Sequence, residues 1–168
     1  MKRLAVFISL VLSLLPSLLM AADQATPTLD VAAPSVTEHS GVFNGKRLKY
    51  RAIAGETVLK NAKGEPEATI FSVSYIATNP GKGPRPVSFI YNGGPGSSSV
   101  WLHMGVFGPK KVVLPSDAED DGAAPFTIVD NPQAPLDVTD LVFIDPVGTG
   151  FSRALGETEA KSFWGVSE

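Results

Sequence analysis

Two stretches of this chain place bare backbone where an apolar run ends: YNGGPGSSS, residues Tyr91–Ser99, and FIDPVGTGFS, residues Phe143–Ser152. Glycine lets a chain turn sharply, so that amide N–H groups converge on one point with no side chain in the way. Converging amides suit an anion, either a phosphate or the oxygen of a tetrahedral acyl-transfer intermediate. The phosphate reading is weak at both loops. The first has no lysine of the nucleotide-binding kind, and Pro95 removes one donor. The second, Gly148–Ala154, only approximates the pattern G-x-G-x-x-A, since its alanine comes one residue late, after Arg153. Asp145-Pro146 also intervenes after the run, and an acid about twenty residues further on would fall at the chain's end. For the first loop, spacing alone leaves two readings equally open: an oxyanion cradle at Gly93 and Gly94, stiffened by Pro95, or a tight turn from strand to helix.

Other reactive residues are few. The chain has no cysteine, hence no thiolate nucleophile and no cysteine zinc site. Its two histidines, His39 and His103, lie 64 residues apart, too sparse for a histidine-rich metal cluster. The acids of SDAEDDGAAP, residues 116–125, lack the alternating ligand spacing of a calcium loop and read as a solvated turn. We therefore expect no metal and no cofactor. No G-x-S-x-G pentapeptide occurs: Ser97, Ser98 and Ser99 follow Gly96 without a closing glycine, and Ser152 is followed by arginine and alanine. His103 falls close to the serine cluster, but a helix-face histidine packing under a loop is the expected role. No catalytic triad can be assembled from these residues.

The elements that would position the loops follow from the apolar pattern. KRLKYRAIAGETVLKN alternates on both sides of Gly55 and predicts a hairpin there. A turn at Gly64 and Pro66 leads into a strand from Ala68 to Thr78. Val87–Tyr91 and Leu141–Asp145 are short continuous apolar runs, the pattern of strands buried on both faces. Between them, SSSVWLHMGVF has helix-like spacing that stops at Gly108-Pro109, and KKVVLP predicts another short strand. The order strand, glycine loop, helix, strand, glycine loop predicts an α/β fold with its site at the carboxyl ends of parallel strands.

The net charge is −3, without the basic excess of a nucleic-acid binder. Lys2 and Arg3 precede a mostly apolar run, Leu4–Met20, and the small residues Ala21 and Ala22. Residues 1–22 thus read as a signal peptide, with export to the periplasm or the cell exterior and no lasting membrane insertion. Residues 23–40 read as a flexible leader containing a solvated His39, and residues 41–168 as the folded part.

YNGGPGSSS together with FIDPVGTGFS resembles the serine carboxypeptidase family; Asn131-Pro132 and SFWG, residues 162–165, fit its order. The resemblance spans roughly Gly41–Glu168. It implies the amino-terminal part of an α/β-hydrolase fold: antiparallel strands, then the first parallel strands of the central sheet. It also implies an exported serine-type carboxypeptidase acting through an acyl-enzyme on peptides with a free C-terminus. Gly94 would be an oxyanion-hole donor, while Asn92 and the Gly93 amide would hold the terminal carboxylate. Asp145 corresponds to a structural aspartate. Three positions depart from the pattern: Tyr91 stands for a tryptophan, Ser97 for a cysteine, and Val106 for an acid that assists carboxylate recognition. Without a nucleophile elbow, the chain alone is expected to be inactive. Alternatives are an inactive fragment or binding module, a proline iminopeptidase, or an acyltransferase; Asn92, where an iminopeptidase carries histidine, argues against the second of these.

Overall fold

A computed structural model describes residues 29, 31–81, 83–93, 96–114 and 124–165. Residues 1–22, read above as a signal peptide, most of the acidic loop and Gly94 lie outside the described residues. Strand β1, Ser35–Phe43, begins inside the stretch read as a leader. It turns at Asn44-Gly45, both at positive φ (48° and 81°), the pair that a two-residue hairpin turn favours. Strand β2 then runs unbroken from Lys46 to Lys60, pairing Phe43 with Lys46 and Ser35 with Ala54. The hairpin expected at Gly55 is therefore absent. Gly55 serves close packing instead: a Cβ there would sit 2.9 Å from the Cβ of Pro34.

The next turn is the one foreseen. Asn61 Oδ1 accepts the N–H groups of Lys63 and Glu65 at 2.9 and 3.0 Å, and Gly64 takes φ 83°. Strand β3, Pro66–Ala77, returns antiparallel to β2. Strands β4 (Val87–Ile90), β5 (Lys110–Val112), β6 (Ile128–Asp130), β7 (Asp140–Ile144) and β8 (Arg153–Ala154) follow. The main sheet has the order β1-β2-β3-β7-β4, with β8 also on β3, while β5 and β6 form a separate pair. Only β4 and β7 run parallel.

The expected α/β fold, an incomplete α/β-hydrolase sheet flanked by helices, is not what forms. The chain is a mostly β, mixed sheet dominated by three long antiparallel strands. The predicted helix is a single α turn, α1 (Val100–Leu102), that widens into a π-type turn at His103–Phe107, closed by Gly108 N–H to His103 O at 2.9 Å. The reasons are local. The window holds too few residues to pass helix nucleation, it contains Gly105 and the β-branched Val100 and Val106, and Ser99 gives no side-chain cap.

The core gathers Phe43, Leu48, Tyr50, Ala134, Leu136, Leu141 and Phe143 on one face of the sheet, with Tyr75 and Ile90 against it. A buried ion pair, Arg85 Nε to Asp140 Oδ1 at 2.7 Å, ties the loop before β4 to the start of β7. Strand β4 is not buried on both sides as its apolar run predicts: Val87 and Phe89 are 47% and 64% exposed, while Ser88 and Ile90 face the core side, so among the described residues one face of β4 is left uncovered. No helix among the described residues is long and apolar enough to cross a membrane.

Candidate functional site

The parallel register of β4 on β7 pairs Ile90 with Phe143, so both strands release their glycine loops at the same end of the sheet. The loops face each other across a groove of about 440 Å³. Asn92, Gly93, Gly96 and Ser97 form one side, Val147 and Thr149 the other, and a 3-10 turn, Ala160–Phe163, brings Phe163 and Trp164 to its end.

The second loop is wired into the sheet. The Asp145 N–H donates to Phe71 O at 3.0 Å, and the Asp145 carbonyl accepts from Ser152 Oγ at 2.6 Å. Ser152 Oγ in turn accepts the Phe71 N–H at 2.8 Å. Thr149 N–H and Oγ1 both donate to Pro146 O, at 3.0 and 2.8 Å. Its glycines answer to packing. A Cβ on Gly150, at φ 51°, would collide with the Asp145 carboxylate. A Cβ on Gly148, at φ 85°, would come within 3.2 Å of Ala160 Cβ and 3.7 Å of the Trp164 ring. Gly148 and Gly150 are thus accounted for by contacts within the chain, and the phosphate reading loses its support.

The first loop differs. Gly93 is exposed, its φ lies outside the left-handed region, and a Cβ there would touch nothing within 4 Å. Neither backbone conformation nor packing inside the chain calls for glycine at this position. The Asn92 N–H donates to Ser99 Oγ at 3.3 Å, whereas its side-chain amide, half-buried at the groove, forms no hydrogen bond among the described residues.

Ser99 and His103 hold this loop to the sheet. The buried Ser99 receives the Asn92 N–H, donates its hydroxyl to Ile144 O, and donates its own N–H to Asp145 Oδ1 at 2.8 Å. With its hydroxyl committed to a backbone carbonyl, it is not presented as a nucleophile. His103 stacks on Phe143 with ring centroids 4.3 Å apart, and its Nε2 lies 2.6 Å from Tyr75 Oη. Burial pushes the imidazole down to about 4, against a smaller upward pull from Asp145. Burial, with Tyr50 adding to it, pushes the Tyr75 phenol up to about 12, so the phenol and the neutral ring share a hydrogen bond between uncharged groups. His103 is a packing residue under the loop, as its place in the sequence suggests, and it does not reach Ser99 as a base.

Of the residues singled out by sequence, Asn92, Gly93 and Ser97 meet at the groove, and Tyr91 stands exposed at its edge. Val106 does not line it; its carbonyl accepts from Asn131 Nδ2 at 2.8 Å. Asp145 is indeed a fixing residue, but it reaches across to the other loop through Ser99 rather than capping its own turn. Sequence reasoning missed Thr149, Phe163 and Trp164 as groove residues. The adjacent Phe163-Trp164 pair was the available signal, read only as family order.

A scan against protein-family models matches no family, and a search of curated proteins finds no relative.

Proposed function

We propose that this chain is the substrate-binding part of an exported serine-type carboxypeptidase. It holds the C-terminal carboxylate of a peptide between the Asn92 side-chain amide and the Gly93 N–H. Gly94, outside the described residues, supplies the oxyanion donor. The observation that carries this reading is Gly93: a glycine that the described fold does not require, beside an asparagine amide without a partner among the described residues, at the mouth of a groove. Two neutral donors at one point suit a carboxylate in a partly dry site. The motif resemblance supplies the reaction class.

Catalysis needs groups that the described residues do not bring together, since Ser99 and His103 are both committed elsewhere. On its own the chain binds peptides and hydrolyses nothing above background. Export rests on the basic and apolar pattern of residues 1–22, and the mature chain then begins near Asp23.

Calorimetric titration of the chain with an N-acetylated dipeptide and with its C-terminal amide tests the site. The free acid should bind about 10-fold or more tightly than the amide, as expected for a lost charge-assisted hydrogen bond. Asn92→Ala should abolish the difference. Equal affinity for acid and amide refutes the reading.

A further inference from the structure

The same groove carries a second chemical signature, and its interpretation rests on the carboxylate reading above. Besides the polar side chains of Asn92, Ser97 and Thr149, the groove is lined by three aromatic rings: Tyr91, Phe163 and Trp164. No charged side chain lines the groove among the described residues. We propose that this aromatic wall makes the site selective for peptides whose C-terminal residue is aromatic, with the carboxylate at Asn92 and the ring against Trp164.

The wall is built rather than incidental. Trp164 donates its indole N–H to Val147 O at 3.3 Å, which fixes the ring against the second glycine loop. Gly148 lets it lie there, because a larger residue would press on Ala160 and on the indole itself. The 3-10 turn that presents the ring is closed by Ser162 Oγ donating to Glu159 O at 2.6 Å. The indole is nevertheless 52% exposed, and Tyr91 64%, so large apolar faces remain uncovered at a groove that also has polar lining residues. A pocket with apolar walls and a few polar groups is the usual form of a small-ligand site. Aromatic rings favour offset or edge-to-face contact with another ring, beyond the area they bury. A lysine or glutamate side chain would find no counter-charge here and would lose hydration on entry.

The occupant's size also fits. The groove spans about 440 Å³, within the range of small-ligand pockets, and exceeds what an alanine side chain could fill. The Asn92 amide on the first loop and the Trp164 ring held on the second offer separate contacts for the acid group and the ring.

The test is a calorimetric series on the unaltered 168-residue chain, using N-acetyl-Ala-Phe, N-acetyl-Ala-Ala, N-acetyl-Ala-Lys and N-acetyl-Ala-Phe-amide. The expected result is binding of the Phe acid about 10-fold or more tightly than the Ala and Lys acids, from ring burial against methyl burial. Trp164→Ala should remove that preference while leaving the weak Ala-Ala affinity in place, and Trp164→Phe should restore most of it. Equal affinity for the Phe, Ala and Lys acids, with acid still preferred over amide, overturns the aromatic selectivity and leaves the carboxylate site standing. Equal affinity for Phe acid and Phe amide overturns the carboxylate site, and with it the placement of the ring proposed here. Binding of none of the four overturns both. Because the peptide series needs no variant, a folding defect at Trp164 cannot mask the outcome.

Discussion

The two glycine loops leave the same end of the same sheet and share a groove, yet they are held in opposite ways. The second is a solid piece of the sheet: Asp145, Ser152 and Phe71 close a ring of hydrogen bonds, and Gly148 and Gly150 each make room for a named neighbour. The first is anchored at its ends, through Asn92 N–H and Ser99, while Gly93 and Gly96 have no neighbour a Cβ would meet. Glycine therefore means two things in one molecule. In the second loop it is the cost of packing a carboxylate and an indole closely; in the first, Gly96 takes a left-handed φ of 94°, while Gly93 answers to neither backbone nor packing among the described residues.

The comparison can be broken first at Gly150. Gly150→Ala forces a side chain into the Asp145 carboxylate at a left-handed backbone position, and should cost about 3–4 kcal/mol in urea unfolding. A loss under 1 kcal/mol would show that the second loop is not held as described.

Acid should act next, through the first loop's anchor. Above pH 6.5, His103 is neutral in folded and unfolded chains alike. Between 6.5 and about 4 the unfolded chain takes up a proton that the buried imidazole refuses, so stability falls as pH falls. The loss across that window is about 3 kcal/mol, fully developed below pH 4. Urea unfolding at stepped pH should show the slope, and His103→Gln should flatten it; an unchanged slope in the variant would assign the acid sensitivity elsewhere.

A smaller effect is expected at the tie between the loops. Asp145→Ala leaves the buried Ser99 N–H without its acceptor, and should destabilise by about 1–3 kcal/mol. Amide exchange at Ser99 should quicken in step, and slow exchange there would contradict the tie. The smallest stability change belongs to Gly93→Ala, within about 0.5 kcal/mol, because nothing surrounds the added methyl. Peptide-acid affinity should nevertheless drop about 10-fold, since the methyl stands where the carboxylate approaches. Stability and binding should therefore separate at Gly93 and move together at Gly150.

What could be read from the residues divides along the same line. Turns announce themselves through local chemistry, as at Asn61 and Gly64, and strands β3, β4, β5 and β7 through their apolar runs. Gly55 misled because a glycine inside an alternating pattern looks like a turn, whereas the Asn44-Gly45 pair, a stronger hairpin signal, carried the real one. The helix failed to grow because its periodicity lasts about two turns and is interrupted by Gly105, so nothing covers the sheet in the way an α/β fold needs. The exposure of β4 could not be read, since an apolar run does not say whether both faces of its strand are covered. The wiring of the site was hidden for a different reason. Its bonds join Ser99 to Asp145 and Phe71 to Ser152, residues brought together only by strand order.

The molecule also contains a clock. Asparagine followed by glycine is prone to lose ammonia, because the glycine nitrogen attacks the side-chain carbonyl to form a succinimide that water opens to aspartate or isoaspartate. Two such pairs occur here. Asn44-Gly45 is restrained, its amide donating to Asp137 Oδ1 at 2.8 Å and its N–H to Pro132 O. Asn92-Gly93 has an amide with no bond among the described residues and open space around the glycine. Ageing should therefore fall first on Asn92, turning the amide proposed to receive a carboxylate into a carboxylate that would repel one. On that proposal, an old preparation would keep its fold and lose affinity for a peptide acid.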